Sequence, residues 1–121
     1  MVGCSNFAWR GQQGALAVLL VLVSALVSGA ASAEDEFRIA IEGHRFQPEH
    51  LSVPAGQRFR IVVENHDPTP EEFESYALNR EKLVPGGASI TLYVGPLKAG
   101  RYEFFGDFNQ STARGWLVAG P

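Results

Sequence analysis

Residues 34–121 follow one pattern that strongly limits the fold: apolar and polar side chains alternate over short runs, and glycine or proline separates the runs. The alternation is clearest in residues 37–41 and 59–63. A period of two is typical of strands that bury one face, whereas an amphipathic helix repeats about every 3.6 residues. Strands spaced about eight to twelve residues apart, with turns between them, predict an all-β sandwich of about seven strands.

The predicted strands are placed by their apolar positions. They cover residues 37–42, 51–53, 58–64, 71–76, 89–94, 102–105 and 116–119. Residues 43–48 are predicted as a turn, and residues 77–82 as an irregular segment that could hold a helical turn. In the loop after the third strand, Asn65 and Asp67 are predicted to cap turns through their side chains. Tyr102, Phe104 and Trp116 are predicted to lie in the core.

The first third of the chain resembles an export signal rather than part of the fold. Arg10 precedes the apolar run of residues 15–27, and Ala31-Ser32-Ala33 follows before the first acidic residues. This order is typical of a secretory signal peptide, with cleavage expected after Ala33. An uncleaved membrane anchor is the alternative, but the run is shorter than the roughly 20 apolar residues that a bilayer requires. We therefore expect residues 1–33 to be a signal peptide, residues 34–121 to be one periplasmic or secreted domain, and no membrane span after cleavage.

Composition excludes several classes of protein. The single cysteine, Cys4, lies in the predicted signal peptide, so the domain has no thiol for a disulfide, a nucleophile or a thiolate metal site. Of the ten Lys and Arg residues, only Arg10 precedes residue 34, whereas all thirteen Asp and Glu follow Ala33. The resulting net charge of about −4 argues against nucleic acid as a partner. No nucleophile elbow or glycine-rich phosphate loop is present either.

Two ordered sets of residues resemble the cupredoxin family over nearly all of residues 34–121. The set in the first half comprises Phe46, Pro48, Leu51, Val53, Ala55, Gly56, Asn65 and Asp67. The set in the second half comprises Pro85, Gly86, Gly100, Tyr102, Phe104, Gly115, Leu117 and Val118. The resemblance implies a cupredoxin-like Greek-key β-sandwich. Residues 71–75 and 95–102 are most similar to the EfeO-type cupredoxin-like domains of bacterial high-affinity iron uptake.

The resemblance also implies where a type 1 copper site would lie, and the side chains there differ from the family pattern. Glu71 stands at the place of the first histidine, Gly106 at the place of the cysteine, and Asn109 at the place of the second histidine. Arg114 stands near the place of the axial methionine. A blue-copper centre needs a thiolate and two imidazoles, so we expect none here.

The residues that remain offer oxygen and nitrogen donors. Glu71, Asp107, Asn109, His44 and His66 are the candidate metal ligands. Such a set suits ferrous or ferric iron, Mn, Zn or Cu(II) rather than Cu(I). The alternative needs no metal, because a salt bridge from Arg114 to Glu71 or Asp107 would also relieve the repulsion between two carboxylates.

Two main functions therefore remain open, beside a third, an enzyme subunit whose site is shared across an oligomer. The first is a metal-handling accessory that binds iron or copper, serves an inner-membrane iron permease or another periplasmic iron-uptake component, and in one version oxidises the iron. The second is a metal-free module of the same fold that docks a partner protein through its loop end or a sheet edge.

Overall fold

The strands of this protein lie in the unit Ser32–Pro121. The computed structural model describes residues 33–121 and, before them, only residues 3, 28 and 29. The predicted signal peptide lies almost wholly outside the described residues, so it stays a prediction. Among the described residues, no helix has the length and apolar character needed to cross a membrane.

Nine strands and one 3₁₀ turn are present in the described range. The strands are β1 Asp35–Glu42, β2 Arg45–Gln47, β3 His50–Pro54, β4 Phe59–Asn65, β5 Glu71–Ser75, β6 Arg80–Val84, β7 Ser89–Val94, β8 Gly100–Gly106 and β9 Arg114–Gly120. The 3₁₀ helix, Asp107–Asn109, lies between the last two strands.

The strands form two sheets, with the orders β2-β1-β4-β7 and β3-β9-β8-β5-β6. Strand β1 is parallel to β4, and β3 is parallel to β9. The other pairs are antiparallel. The predicted all-β sandwich is therefore confirmed.

Two of the nine strands were not predicted from the sequence. Strand β2 lies in the segment predicted as a turn, and it contains a single apolar residue, Phe46. Strand β6 lies at a sheet edge, and only Val84 among its five residues is buried. Neither strand buries a whole face, so neither produces the alternation by which strands are recognised.

Alternation works where a strand lies inside a sheet. Strand β4 buries every second residue, from Phe59 to Asn65. The two sheets meet at three phenylalanines, Phe46 of the first sheet and Phe73 and Phe104 of the second. Their ring centroids lie 5.0–6.0 Å apart. Burying each ring contributes roughly 1.5–3 kcal/mol, so this cluster is a main contact between the sheets.

The predicted core position of Trp116 is wrong. Phe104 is fully buried and Tyr102 packs against the core. On β9, however, the buried residues are Gly115, Leu117 and Ala119, so Trp116 faces outward. The Arg101 guanidinium stacks on the indole at 4.6 Å from the ring centroid.

The open edges of the two sheets are joined by side chains of β6. Arg80 Nε and Nη2 donate to the carbonyl oxygen of Tyr93 at 3.1 and 3.0 Å. Lys82 Nζ donates to the carbonyl oxygen of Thr91 at 3.3 Å. These carbonyls belong to β7, the edge strand of the other sheet, so both cationic side chains are engaged by backbone rather than by carboxylates.

The turn-capping prediction for Asn65 and Asp67 is confirmed. The backbone N–H of Asp67 donates to Asn65 Oδ1 at 3.0 Å. The Asp67 carboxylate accepts from the backbone N–H groups of Gly43, at 2.8 Å, and His44, at 2.9 Å. Both of those residues have left-handed φ angles, 60° and 57°. Asp67 thus holds the strained turn between β1 and β2.

Replacing Asp67 by alanine should lower the free energy of unfolding by about 1–3 kcal/mol, because two charge-assisted hydrogen bonds are lost. The N–H groups of His44, first, and Gly43 lower the pKa of Asp67 below its ordinary value. The advantage of the wild type should therefore be present above the unfolded-state pKa and disappear as pH falls through the folded-state pKa. Urea unfolding measured from neutral to acid pH checks this, with Glu42→Ala as the exposed control. Equal stabilities of the Asp67→Ala and Glu42→Ala variants would contradict it.

Candidate functional site

Glu71 is a buried carboxylate at the loop end of the sandwich. It is the first residue of β5, where alternation turns Glu71, Phe73 and Ser75 inward. Its exposure is only 1%. A carboxylate in this position loses its water, so hydrogen-bond donors from the protein must replace that water.

Three donors surround the Glu71 carboxylate. Oε1 accepts from the backbone N–H of Glu72 at 3.0 Å and from that of Phe108 at 2.9 Å. Oε2 accepts from Asn109 Nδ2 at 2.7 Å. Two of the donors come from the 3₁₀ turn, so Glu71 anchors the loop between β8 and β9 to the start of β5. Charge-assisted bonds of this kind are among the stronger hydrogen bonds in proteins.

The space beside this carboxylate is closed by Gly106 and Ala113. A Cβ added at Gly106 would lie 2.5 Å from Glu71 Cδ and 2.8 Å from Ala113 Cβ, both far too close. The Gly106 N–H also donates to the Ala113 carbonyl oxygen at 2.9 Å, which fixes the backbone there. Glu71 therefore occupies the volume into which a side chain at position 106 would project.

The structure brings together only two of the five predicted ligands, Glu71 and Asn109. His44 Nδ1 lies 3.6 Å from Asp67 Oδ2. His66 Nε2 lies 3.4 Å from Glu64 Oε2. Arg38, first, and His66 hold the pKa of Glu64 below its ordinary value. Each imidazole is thus placed against a carboxylate outside the Glu71 site.

Asp107, the fifth predicted ligand, belongs to a different group. In the described part of the chain, one group of three acidic or histidine side chains brings its ligand atoms within 4.8 Å of one another: Glu72, Glu74 and Asp107. We call it the carboxylate trio. Glu72 and Glu74 are not among the ligands predicted from the sequence, because nothing in the sequence shows that the distant Asp107 meets them.

The pKa values of two trio members are raised. A hydrogen bond with Glu81 is the main cause for Glu72, followed by burial and by the charges of Glu81 and Asp107. For Glu74, partial burial comes first, followed by the charges of Asp107 and Glu81. Asp107 itself accepts a hydrogen bond from Gln110 Nε2 at 2.7 Å. Like charges therefore crowd this part of the surface.

The predicted salt bridge from Arg114 to Glu71 or Asp107 is wrong. Arg114 pairs with Glu103 and donates from Nε to the carbonyl oxygen of Gln110 at 2.9 Å. Its side chain lies on the outer face of β9, because the next residue, Gly115, is the buried one. The Glu71 carboxylate is stabilised by amide N–H groups and not by an arginine.

The fold defines this protein as a two-sheet β-sandwich whose last loop is anchored at one end. Comparison with known families shows which family of β-sandwiches it belongs to. The cupredoxin-like domain family model matches residues 15–119. The chain therefore belongs to the cupredoxin-like domain family. The resemblance to the cupredoxin family that was seen in the sequence is therefore confirmed.

A relative at the sequence level is the uncharacterized protein RP394 of Rickettsia prowazekii, 46% identical over 83 residues. The match covers 69% of this chain and 66% of the relative, just under two thirds of its length.

Solved structures share the fold. The metal-binding domain of the Cu(I)-exporting P-type ATPase CopA of Streptococcus pneumoniae superposes with a TM-score of 0.64 at 17% identity, covering 71% of this chain and 85% of that one. Auracyanin A, a blue copper protein of Chloroflexus aurantiacus, gives 0.63 at 16% identity, covering 73% and 100%. The purple cupredoxin of Nitrosopumilus maritimus gives 0.57 at 17% identity, covering 69% and 99%. Such low identities establish the fold alone.

Replacing Glu71 by alanine should lower the free energy of unfolding by about 2–4 kcal/mol, because the part-buried donors of Phe108 and Asn109 lose their acceptor. Glu71→Gln should also destabilise the fold, because the NH₂ group of the glutamine would face the N–H donors that now bind the carboxylate. Urea unfolding measures both effects, with the exposed Glu49→Ala as control. Values for Glu71→Ala equal to the control would contradict the anchoring role.

A second variant separates anchoring from simple loss of packing. Gly106→Ala should be strongly destabilising in the wild type and less so in the Glu71→Ala background, where the nearest collision is gone. If Gly106→Ala lowers the free energy of unfolding equally in both backgrounds, Glu71 does not fill the space beside residue 106.

Proposed function

We propose that this protein is an exported accessory of bacterial metal uptake that has the cupredoxin fold but no type 1 copper centre. It acts by binding a partner protein of the uptake system, not by carrying electrons. The observation that carries this proposal is the Glu71 carboxylate, which lies where the resemblance places a copper ligand and accepts three hydrogen bonds from the protein's own donors.

The residues at this end of the sandwich do not fit type 1 copper. Residues 33–121 contain no thiol, and the position matched to the cysteine is Gly106. The Glu71 side chain fills the volume that a side chain at position 106 would need. The side-chain amide N–H of Asn109 donates to the Glu71 carboxylate. Arg114 lies outside, bonded to Glu103. Residues 33–121 therefore offer no thiolate or thioether to hold Cu(I).

The metal-uptake context is supported by the resemblance of residues 71–75 and 95–102 to EfeO-type domains. We propose an inner-membrane iron permease or another periplasmic iron-uptake component as the partner, and iron as the transported ion. The signal-like residues 1–33 support a periplasmic or secreted location. The net negative charge of the chain disfavours nucleic acid.

Deleting the gene in its own organism is expected to reduce the accumulation of radioactive iron from low-iron medium, because the permease loses its accessory. A plasmid carrying the wild-type gene should restore uptake, as should Glu42→Gln/Glu49→Gln, which changes two exposed acids away from the site. Unchanged iron uptake in the deletion strain, with loss of a copper-dependent electron-transfer activity, would overturn the proposal.

A second candidate function is direct binding of a hard cation, and the carboxylate trio favours it. Its oxygen atoms come within 4.8 Å of one another. Carboxylate oxygens are ligands that ferric iron and other hard cations prefer. A cation would also relieve the repulsion that raises the pKa values of Glu72 and Glu74.

For this second candidate, calorimetric titration of residues 34–121 with Fe(III) citrate, Cu(II) and Zn(II) should give heat that Glu72→Gln/Asp107→Asn abolishes and Glu42→Gln/Glu49→Gln preserves. Binding should weaken as pH falls through the raised pKa values of Glu72 and Glu74, because protons then compete with the ion. Heat-silent titrations with all three metals would remove metal binding by this domain and leave the partner-binding function.

A further inference from the structure

An aromatic surface lies on the outer face of the five-stranded sheet, next to the site but outside it. Tyr76, just after β5, is 79% exposed. Its ring meets the ring of Phe105 edge-on, with centroids 5.4 Å apart. A groove of about 190 Å³ is lined by Tyr76, Ala77, Glu103 and Phe105. Phe105 is only 7% exposed, so Tyr76 supplies the exposed ring of this surface. An exposed aromatic ring beside a groove is typical of protein-binding surfaces.

Strand register shows what surrounds this ring pair. Phe105 of β8 lies opposite Glu74 of β5, which in turn lies opposite Glu81 of β6. Directly opposed residues of paired strands point to the same face. A second groove, of about 260 Å³, borders Tyr76 on this side and is lined by Glu74, Ser75, Tyr76, Asn79, Arg80 and Glu81. Tyr76 therefore stands between an apolar groove and an acidic one.

The acidic side chains of this surface have no ion-pair partner among the described residues. Glu72, Glu74, Glu81 and Asp107 form no ion pair in residues 33–121, where five arginine–carboxylate pairs are present. The nearby cations are engaged elsewhere. Arg80 and Lys82 bond to backbone carbonyls of β7. Arg114 bonds to Glu103 while lying 5.7 Å from the Phe105 ring centroid.

We infer that this face, from Tyr76 and Phe105 to Glu74 and Glu81, docks a basic segment of a partner protein, with a lysine or arginine side chain over the Tyr76 ring and between the two carboxylates. The inference rests on the proposed partner-binding function and names its surface and the chemistry of the partner. We choose a basic partner because one cationic side chain can make a cation–π contact with the Tyr76 ring and pair with the carboxylates at the same time.

The test uses residues 34–121 and a short synthetic peptide of alternating arginine and alanine as the probe, with glutamine–alanine and glutamate–alanine peptides as controls. In NMR titrations, amide shifts should map to β5, β6 and residues 76–77 for the basic peptide alone. Glu74→Gln/Glu81→Gln should weaken its binding about tenfold, and Tyr76→Ala about two- to fivefold. Glu42→Gln/Glu49→Gln removes the same charge from elsewhere and should leave affinity within about twofold.

Three results would overturn the inference. Equal weakening by the two double variants would mean that only net charge matters. Shifts at these amides on raising the protein concentration alone would assign the face to a second copy of the chain. Saturation by a divalent metal, with no response to the peptide, would assign it to an ion. A deletion strain with normal iron uptake would refute the uptake role and yet leave peptide binding intact, so the two failures are distinguishable.

Discussion

Removing a carboxylate from water costs several kcal/mol unless donors from the protein replace the lost hydration. Glu71 meets this requirement with two backbone N–H groups and the Asn109 amide. The order of the loop between β8 and β9 depends on these bonds, and the packing beside Gly106 depends on the same side chain. The end of the sandwich is thus completed by the chain itself.

The alternating strands were predictable because burial of one face leaves a period of two in the sequence. The same rule accounts for the inward direction of Glu71, since it shares a face with Phe73. Strands β2 and β6 were not predictable, because edge position leaves most of their side chains exposed. Trp116 shows the opposite error: a large aromatic was assigned to the core, although its neighbours Gly115 and Leu117 hold the buried face.

The contacts of the candidate site were harder to predict than its location. The Phe108 donor is a backbone N–H, which has no signature in sequence. Arg114 was expected to neutralise a carboxylate, and it does so, but the register places it opposite Phe105, from where it reaches the diagonal neighbour Glu103. Long side chains reach several neighbours, so only the register decides between them. Sequence therefore indicated which residue types gather at the loop end, and geometry decided which of them touch.

The contacts between β6 and β7 have a consequence for how the molecule behaves in a crowded compartment. An edge strand with free carbonyls is a template on which another chain can add a strand and begin aggregation. Arg80 and Lys82 occupy two of the β7 carbonyls, those of Tyr93 and Thr91. Their charges would also have to be desolvated if an apolar strand paired with this edge, which disfavours such pairing. The same two side chains that join the sheets therefore discourage self-association of the folded protein along this side.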